Sequence, residues 1–147
     1  MKVYKLPYEA RAATGWTHVA HMKVADGDID AVNEIADICP CPVGSFVGKT
    51  VFHTKTGWAT ITTPIVDIGI QATGVTDDTL ADGISCATAN NTTYGGTNAV
   101  HFKVNNTASR FITIKQLGSG STATAGEGFV LFQLVDVATL VNDPATL

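Results

Sequence analysis

The chain has 147 residues, a mass of 15.3 kDa, a net charge of −4 and a sequence pI near 5.4. That length sets a prior of one domain with a proper core, and a hydrophobic content of 45% excludes a disordered chain. Lysine and arginine, nine in all, are scattered without a run that could neutralise a series of phosphates, so direct nucleic-acid binding is not expected.

Charged residues make up only 15% of the chain, against roughly 25% in a typical soluble domain. Neutral polar groups must cover the surface instead, and 21 threonines supply them. Threonine is β-branched, so the same bias favours strands. Low charge and abundant threonine suit a protein that packs against neighbours. A stable secreted-type β domain fits the composition equally well. The first ten residues contain no apolar h-region, and no apolar run approaches a membrane span, so a cytosolic, membrane-free chain is expected. Three cysteines, an odd number with no extracellular context, are expected to stay reduced.

Residues 1–15 show neither helical nor strand periodicity and contain Pro7 and Gly15, which suggests an extended N-terminal arm. It carries Tyr4, Tyr8 and Arg11, with Trp16 just beyond. Exposed aromatics on an arm serve as anchors for a partner, and packing back onto the domain is the alternative. Residues 16–24 read as a strand with Trp16, His18, Ala20, Met22 and Val24 on one face, followed by a turn at Asp26-Gly27-Asp28. Apolar residues at 29, 32, 35 and 38 are ambiguous; Asp30 could cap a short helix with Glu34 in its first turns, but strand is favoured over 33–38. Cys39-Pro40-Cys41-Pro42-Val43-Gly44 reads as a rigid turn.

A strand over 46–54 places Phe46, Thr50 and Phe52 on one face and Val47, Lys49, Val51 and His53 on the other. Another over 60–71 turns Val66, Ile68 and Ile70 inward, with Pro64 marking an edge or a bend. Residues 75–84, with Asp77, Asp78 and Asp82, read as loop-rich, and residues 87–98 as a polar excursion. Residues 99–104 alternate as a strand and turn through a hairpin at 105–108 into a strand over 109–117. Residues 118–128, rich in Gly, Ser, Thr and Ala, read as a solvated connection to the closing strand over 129–137. Six to eight short strands without a long helix predict an all-β fold: an antiparallel β-sandwich or jelly roll over 16–147, preceded by the arm at 1–15.

Several motifs come close to a chemistry and miss it. Gly44-Ser-Phe-Val-Gly48-Lys49-Thr50 has three residues between its glycines where a phosphate loop needs four, and it runs on as strand, not helix. Asp26-Gly27-Asp28-Ile29-Asp30 alternates carboxylates like a calcium loop, but Ala31 and Asp37 occupy the positions of the required glycine and bidentate glutamate. Cys39 and Cys41 are too close for a zinc pair and Cys86 has no companion, while His18 and His21 would meet on a helix but not on a strand. His53 and His101 have no nucleophile elbow near them. The Asn-x-Thr triplets at Asn90, Asn91 and Asn105 read as polar turns. No catalytic, cofactor or metal site is expected. A sugar-binding sandwich would need an aromatic platform, for which Trp16, Trp58 and Tyr94 are the candidates.

From residue 36 to 143 the chain resembles the small virion structural proteins of tailed bacteriophages. The residues that carry the resemblance begin with the Cys41-Pro42-Val43-Gly44 turn and the strand over 46–54. Asp67-Ile68-Gly69-Ile70 follows, with the acidic loop Asp77-Asp78-Thr79-Leu80-Ala81-Asp82-Gly83. Phe111-Ile112-Thr113-Ile114 and Ala123-Thr124-Ala125-Gly126-Glu127-Gly128, opening the last strand, complete it. Cys39 and Cys41 depart from the family, which often has Asp or Thr there. The resemblance implies an all-β cement or decoration protein, often a homotrimer. It would dock on the major capsid protein at the virion exterior after assembly in the host cytoplasm. Its contacts would be Tyr4, Tyr8, Arg11 and Trp16 plus one sandwich edge. A neck, tail or fibre-base component would share these features.

Overall fold

A computed structural model describes residues 1–71, 80–94, 103–104, 110–120 and 122–136. The expected Asp77–Asp78 acidic loop, His101, most of the 99–104 strand and the 105–108 hairpin lie outside them. Two antiparallel sheets face each other across one hydrophobic core, so the all-β, sandwich-like expectation holds. In chain order the elements are β1 (Lys2–Lys5), α1 (Tyr8–Thr14), β2 (His18–Lys23), a 3₁₀ turn (Val24–Asp26), β3 (Ile35–Cys41), β4 (Ser45–Ala59), β5 (Thr62–Gln71), β6 (Ala81–Ser85), β7 (Asn91–Tyr94), β8 (Lys103–Val104), β9 (Arg110–Ser119) and β10 (Ala125–Asp136). The larger sheet runs β1-β2-β10-β4-β7, with β8 also on β4, and the smaller runs β3-β9-β5-β6.

The central pair is β4 with β10, the two longest strands. Inward residues alternate on β2 (Ala20, Met22) and β10 (Val130, Phe132), as half-buried strands require. On β4 the alternation breaks: Val47 and Phe52 both enter the core although five residues apart. The register slips between Phe132 opposite Thr50 and Leu134 opposite Val47, so β4 carries one extra residue near Gly48. That bulge reverses the faces, and Val47 joins Phe52 where simple alternation puts it opposite. A Cβ on Gly48 would lie 2.3 Å from Gln133 Oε1 and 3.0 Å from Gln133 Cβ, so a larger residue there would have to displace the Gln133 side chain.

The Cys39-Pro40-Cys41 segment is not the expected turn but the end of β3, paired with Arg110–Ile112 of β9. β3 is an edge strand, where a residue without an N–H leaves no ladder bond unmade. The turn itself is Pro42–Gly44, closed by Ser45 N–H donating to Pro42 O at 3.0 Å. Val66, Ile68 and Ile70 point inward as expected. Pro64 sits at a register slip inside the sheet, the bend rather than the edge. Residues 29–34 form no helix. Glu34 caps its own turn, accepting from Ala31 N–H, and Asp30 offers only its carbonyl, to Ala123 N–H.

The largest departure lies in 118–128. β9 runs to Ser119 and β10 starts at Ala125, so most of this stretch is strand. Gly126 and Gly128 serve the core: a Cβ on Gly126 would stand 2.7 Å from the Trp58 ring, and one on Gly128 2.7 Å from Phe52. Their bare backbone is the floor on which the two rings lie, tilted at 50° with centroids 5.9 Å apart. Trp58 is 3% exposed and its Nε1–H donates to Ile29 O at 3.3 Å. It is a core residue in a strand and no part of a sugar platform.

Candidate functional site

The segment 1–17 is folded rather than an extended arm. β1 pairs with β2 from Lys2 opposite His21 to Lys5 opposite His18. Pro7 then starts α1 and Gly15, left-handed at φ 75°, ends it with its N–H on Arg11 O. Gln133 Nε2–H donates to Gly15 O at 2.7 Å. Thr17 fixes the return: its hydroxyl receives Leu134 N–H at 2.7 Å, and its carbonyl receives Leu6 N–H at 2.8 Å. The Met1 amino group meets the Asp28 carboxylate, whose other oxygen receives Lys23 N–H.

This geometry separates the four expected anchors. Tyr4 is 51% exposed on the edge strand, and Tyr8, 72% exposed, stands on α1. Trp16, just after the helix, is half-buried, and Arg11 lines a cleft at the end of the sandwich. Tyr4 belongs to a larger constellation that local sequence does not reveal. Strand register aligns Tyr4, Val19, Leu131, Val51 and Tyr94 in one row across β1, β2, β10, β4 and β7. A second row, Lys2, His21, Phe129, His53 and Thr92, runs beside it. Both lie on the outer face of the larger sheet, since their strand neighbours Ala20, Val130 and Phe52 point into the core.

The second row is built around Phe129. The His21 ring stacks on it at 4.6 Å and 12°, and His53 leans on its other side at 6.3 Å and 32°. His53 Nδ1 is 2.7 Å from Thr92 Oγ1. Glu127 accepts from Lys55 Nζ and lies against His21 Nε2, both at 2.9 Å. Those two contacts, Lys55 first, hold its carboxyl below the ordinary glutamate range. Tyr94, 66% exposed, closes the first row opposite Tyr4. The face thus mixes aromatic and aliphatic side chains with Lys2, His21, His53 and Lys55, and its one described carboxylate is already engaged.

The cleft lies where the ends of the two sheets meet. It encloses about 360 Å³ between Lys5, Arg11, Thr17, His18, Pro40, Pro42, Leu134, Val135 and Asp136. His18 stacks on Phe132 at 5.3 Å and its Nδ1 lies 2.8 Å from Thr17 Oγ1. Burial, then the charges of Lys5 and Arg11, push its imidazole below the ordinary histidine value.

The thiols are quiet. Cys41 and Cys86 are buried, Cys39 half-buried, and none of the three forms a disulfide. Burial pushes Cys39 up to about 12 and raises the other two as well. Among the described residues no group of three His, Cys, Asp or Glu side chains is placed to hold a metal ion, and no helix is long and apolar enough to cross a membrane. No family model, curated protein or solved structure matches the chain.

Proposed function

We propose that this chain is a non-enzymatic structural protein of a tailed-phage virion, a cement or decoration protein. It clamps neighbouring major capsid protein subunits from the shell exterior, as a homotrimer. The phage assignment rests on the resemblance described above. The outer face of the larger sheet supports a docking role. Two rows that carry Tyr4, Val19, Leu131, Tyr94 and Phe129, with the buried Val51 between Leu131 and Tyr94, spread apolar and aromatic side chains over five strands. Tyrosine and phenylalanine are the residues that protein interfaces concentrate, because they bury much area with little side-chain entropy to lose.

Size says how such a face works. Strands about 4.8 Å apart and rows about 7 Å apart give a patch on the order of 300 Å². A stable interface buries about 800 Å² per partner. One copy would hold weakly, and identical copies linked in an oligomer would hold through avidity. That is the regime of a protein repeated over a lattice.

The test is light scattering of the purified protein followed by sedimentation with undecorated tailed-phage shells. A trimer that pellets at hundreds of copies per shell is expected, and Tyr4→Ser combined with Tyr94→Ser should abolish pelleting while the far-UV spectrum is unchanged. A monomer found at about a dozen copies in intact virions would replace the cement reading with a neck or tail component. A protein that ignores both shells and virions overturns the virion reading.

A further inference from the structure

The cleft at the sandwich end holds an imbalance that the docking face does not explain. Lys5 from β1 and Arg11 from α1 both line it, and neither makes an ion pair or a side-chain hydrogen bond among the described residues. Arg11 Nε is buried without a partner. Asp136 lines the same cleft, with its charge also felt by the Cys41 thiol. A buried guanidinium N–H without an acceptor is unfavourable even where the rest of the side chain reaches water, and folded proteins normally match such a donor with an acceptor. The other walls are Pro40, Pro42, Leu134 and Val135, rigid or aliphatic. At about 360 Å³ the space suits one or two side chains, within the range of small-ligand sites.

We propose that this cleft binds a carboxylate carried on an apolar peptide segment of a partner protein, with Arg11 and Lys5 as its counter-charges and the Pro40–Leu134 walls holding the flanking apolar groups. The planar fork of arginine takes a carboxylate through two parallel N–H bonds, and lysine adds a point charge from β1. Thr17 contributes less, since its hydroxyl is already committed to the Phe132 and Leu134 backbone. His18 faces the same two cations: burial first, then the charges of Lys5 and Arg11, lower its pKa. The assignment stands whether or not the partner is a phage shell.

His18 is the natural reporter, because an anion bound beside Lys5 and Arg11 cancels their repulsion and raises its pKa, with Asp136 the one acid already facing it. The full chain would be titrated with acetyl-Leu-Glu-Leu-amide, which carries only a side-chain carboxylate. Acetyl-Leu-Leu with a free end carries only a terminal one, and inorganic phosphate serves as the competing anion. The His18 and Thr17 NMR signals would be followed. Saturable shifts with either peptide are expected, with the more effective peptide identifying the source of the carboxylate. Binding should weaken by about tenfold or more in Arg11→Gln, less in Lys5→Gln, and recover partly in Arg11→Lys. If neither peptide saturates the His18 shift, or Arg11→Gln leaves it unchanged, the site is not a carboxylate site. Saturation by phosphate without either peptide would assign it to inorganic anions and equally overturn the proposal.

Discussion

The two faces of β10 differ in what they tolerate. Inward, Gly128, Val130 and Phe132 meet Phe52, Trp58 and the smaller sheet with no room for one more carbon. Outward, Glu127, Phe129 and Leu131 touch side chains of β2 and β4 and leave open area. Residues on the same strand, one position apart, thus answer to different constraints. The inner face is set by volume and the outer by what it can meet.

Breaking the inner face should have the largest effect. Trp58→Ala removes a fully enclosed ring and the Nε1–Ile29 bond, and should destabilise the fold by about 3–5 kcal/mol. Chemical denaturation followed by far-UV circular dichroism measures it. A loss below about 1 kcal/mol would mean that Trp58 does not seal the core. The opposite error, adding volume, is tested at Gly128→Ala. The new methyl would sit 2.7 Å from the buried Phe52 ring, so about 1–3 kcal/mol should be lost although alanine is the better strand-compatible residue in isolation. A neutral or stabilised variant would return the 126–128 stretch to the solvated connection that its composition suggests.

That stretch shows why part of the fold is readable in sequence and part is not. Val66, Ile68 and Ile70 alternate cleanly, so period alone places them inside. Gly126 and Gly128 look like loop, because nothing local signals that an aromatic 68 residues earlier needs their missing side chains. Pro40 looks like a turn until β3 is known to be an edge. Pro7 and Gly15 carry a usable helix signal, Pro at the start and Gly past the end, around the helix-forming Glu9-Ala10-Arg11-Ala12-Ala13. Here the absence of two long periods hides a helix of seven residues. The docking rows are the least legible. Tyr4 and Tyr94 enter one row only because β2, β10 and β4 separate them in that order, a fact of topology and not of either neighbourhood.

On the outer face the expected effect on stability is small and the effect on association large. Tyr94→Ser removes a ring 66% exposed, and should move stability by no more than about 0.5 kcal/mol while weakening docking. The two measurements together sharpen the contrast, since a destabilised Tyr94→Ser protein would make that ring structural.

Thiol chemistry probes the inner face without mutation. A thiol pushed up to about 12 is ionised at pH 8 in about one molecule in ten thousand, so Cys39 should react with iodoacetamide far more slowly than a free cysteine. Cys41 and Cys86 are raised in the same sense and are buried. All three should label at once in denaturant. Rapid native labelling of Cys86 would show that the inner packing opens.

The smallest expected effect is the dependence of stability on acid, and it comes from His18, whose ring lines the cleft. His18 has a folded pKa below its unfolded value of about 6.5, lowered by burial first and then by Lys5 and Arg11, with Asp136 also facing the cleft. The unfolded chain therefore takes up the proton more readily, and stability from this group is complete above pH 6.5 and lost as pH falls through the folded value. Denaturation midpoints measured from pH 7.5 down to pH 5 should decline, and the decline should shrink in Arg11→Gln, where one repelling charge is gone. An acid slope identical in the variant would place the cause in burial alone. A reversed slope, with acid stabilising the variant, would mean that Arg11 already neutralises a carboxylate in the free protein, and the cleft would then have none left to seek.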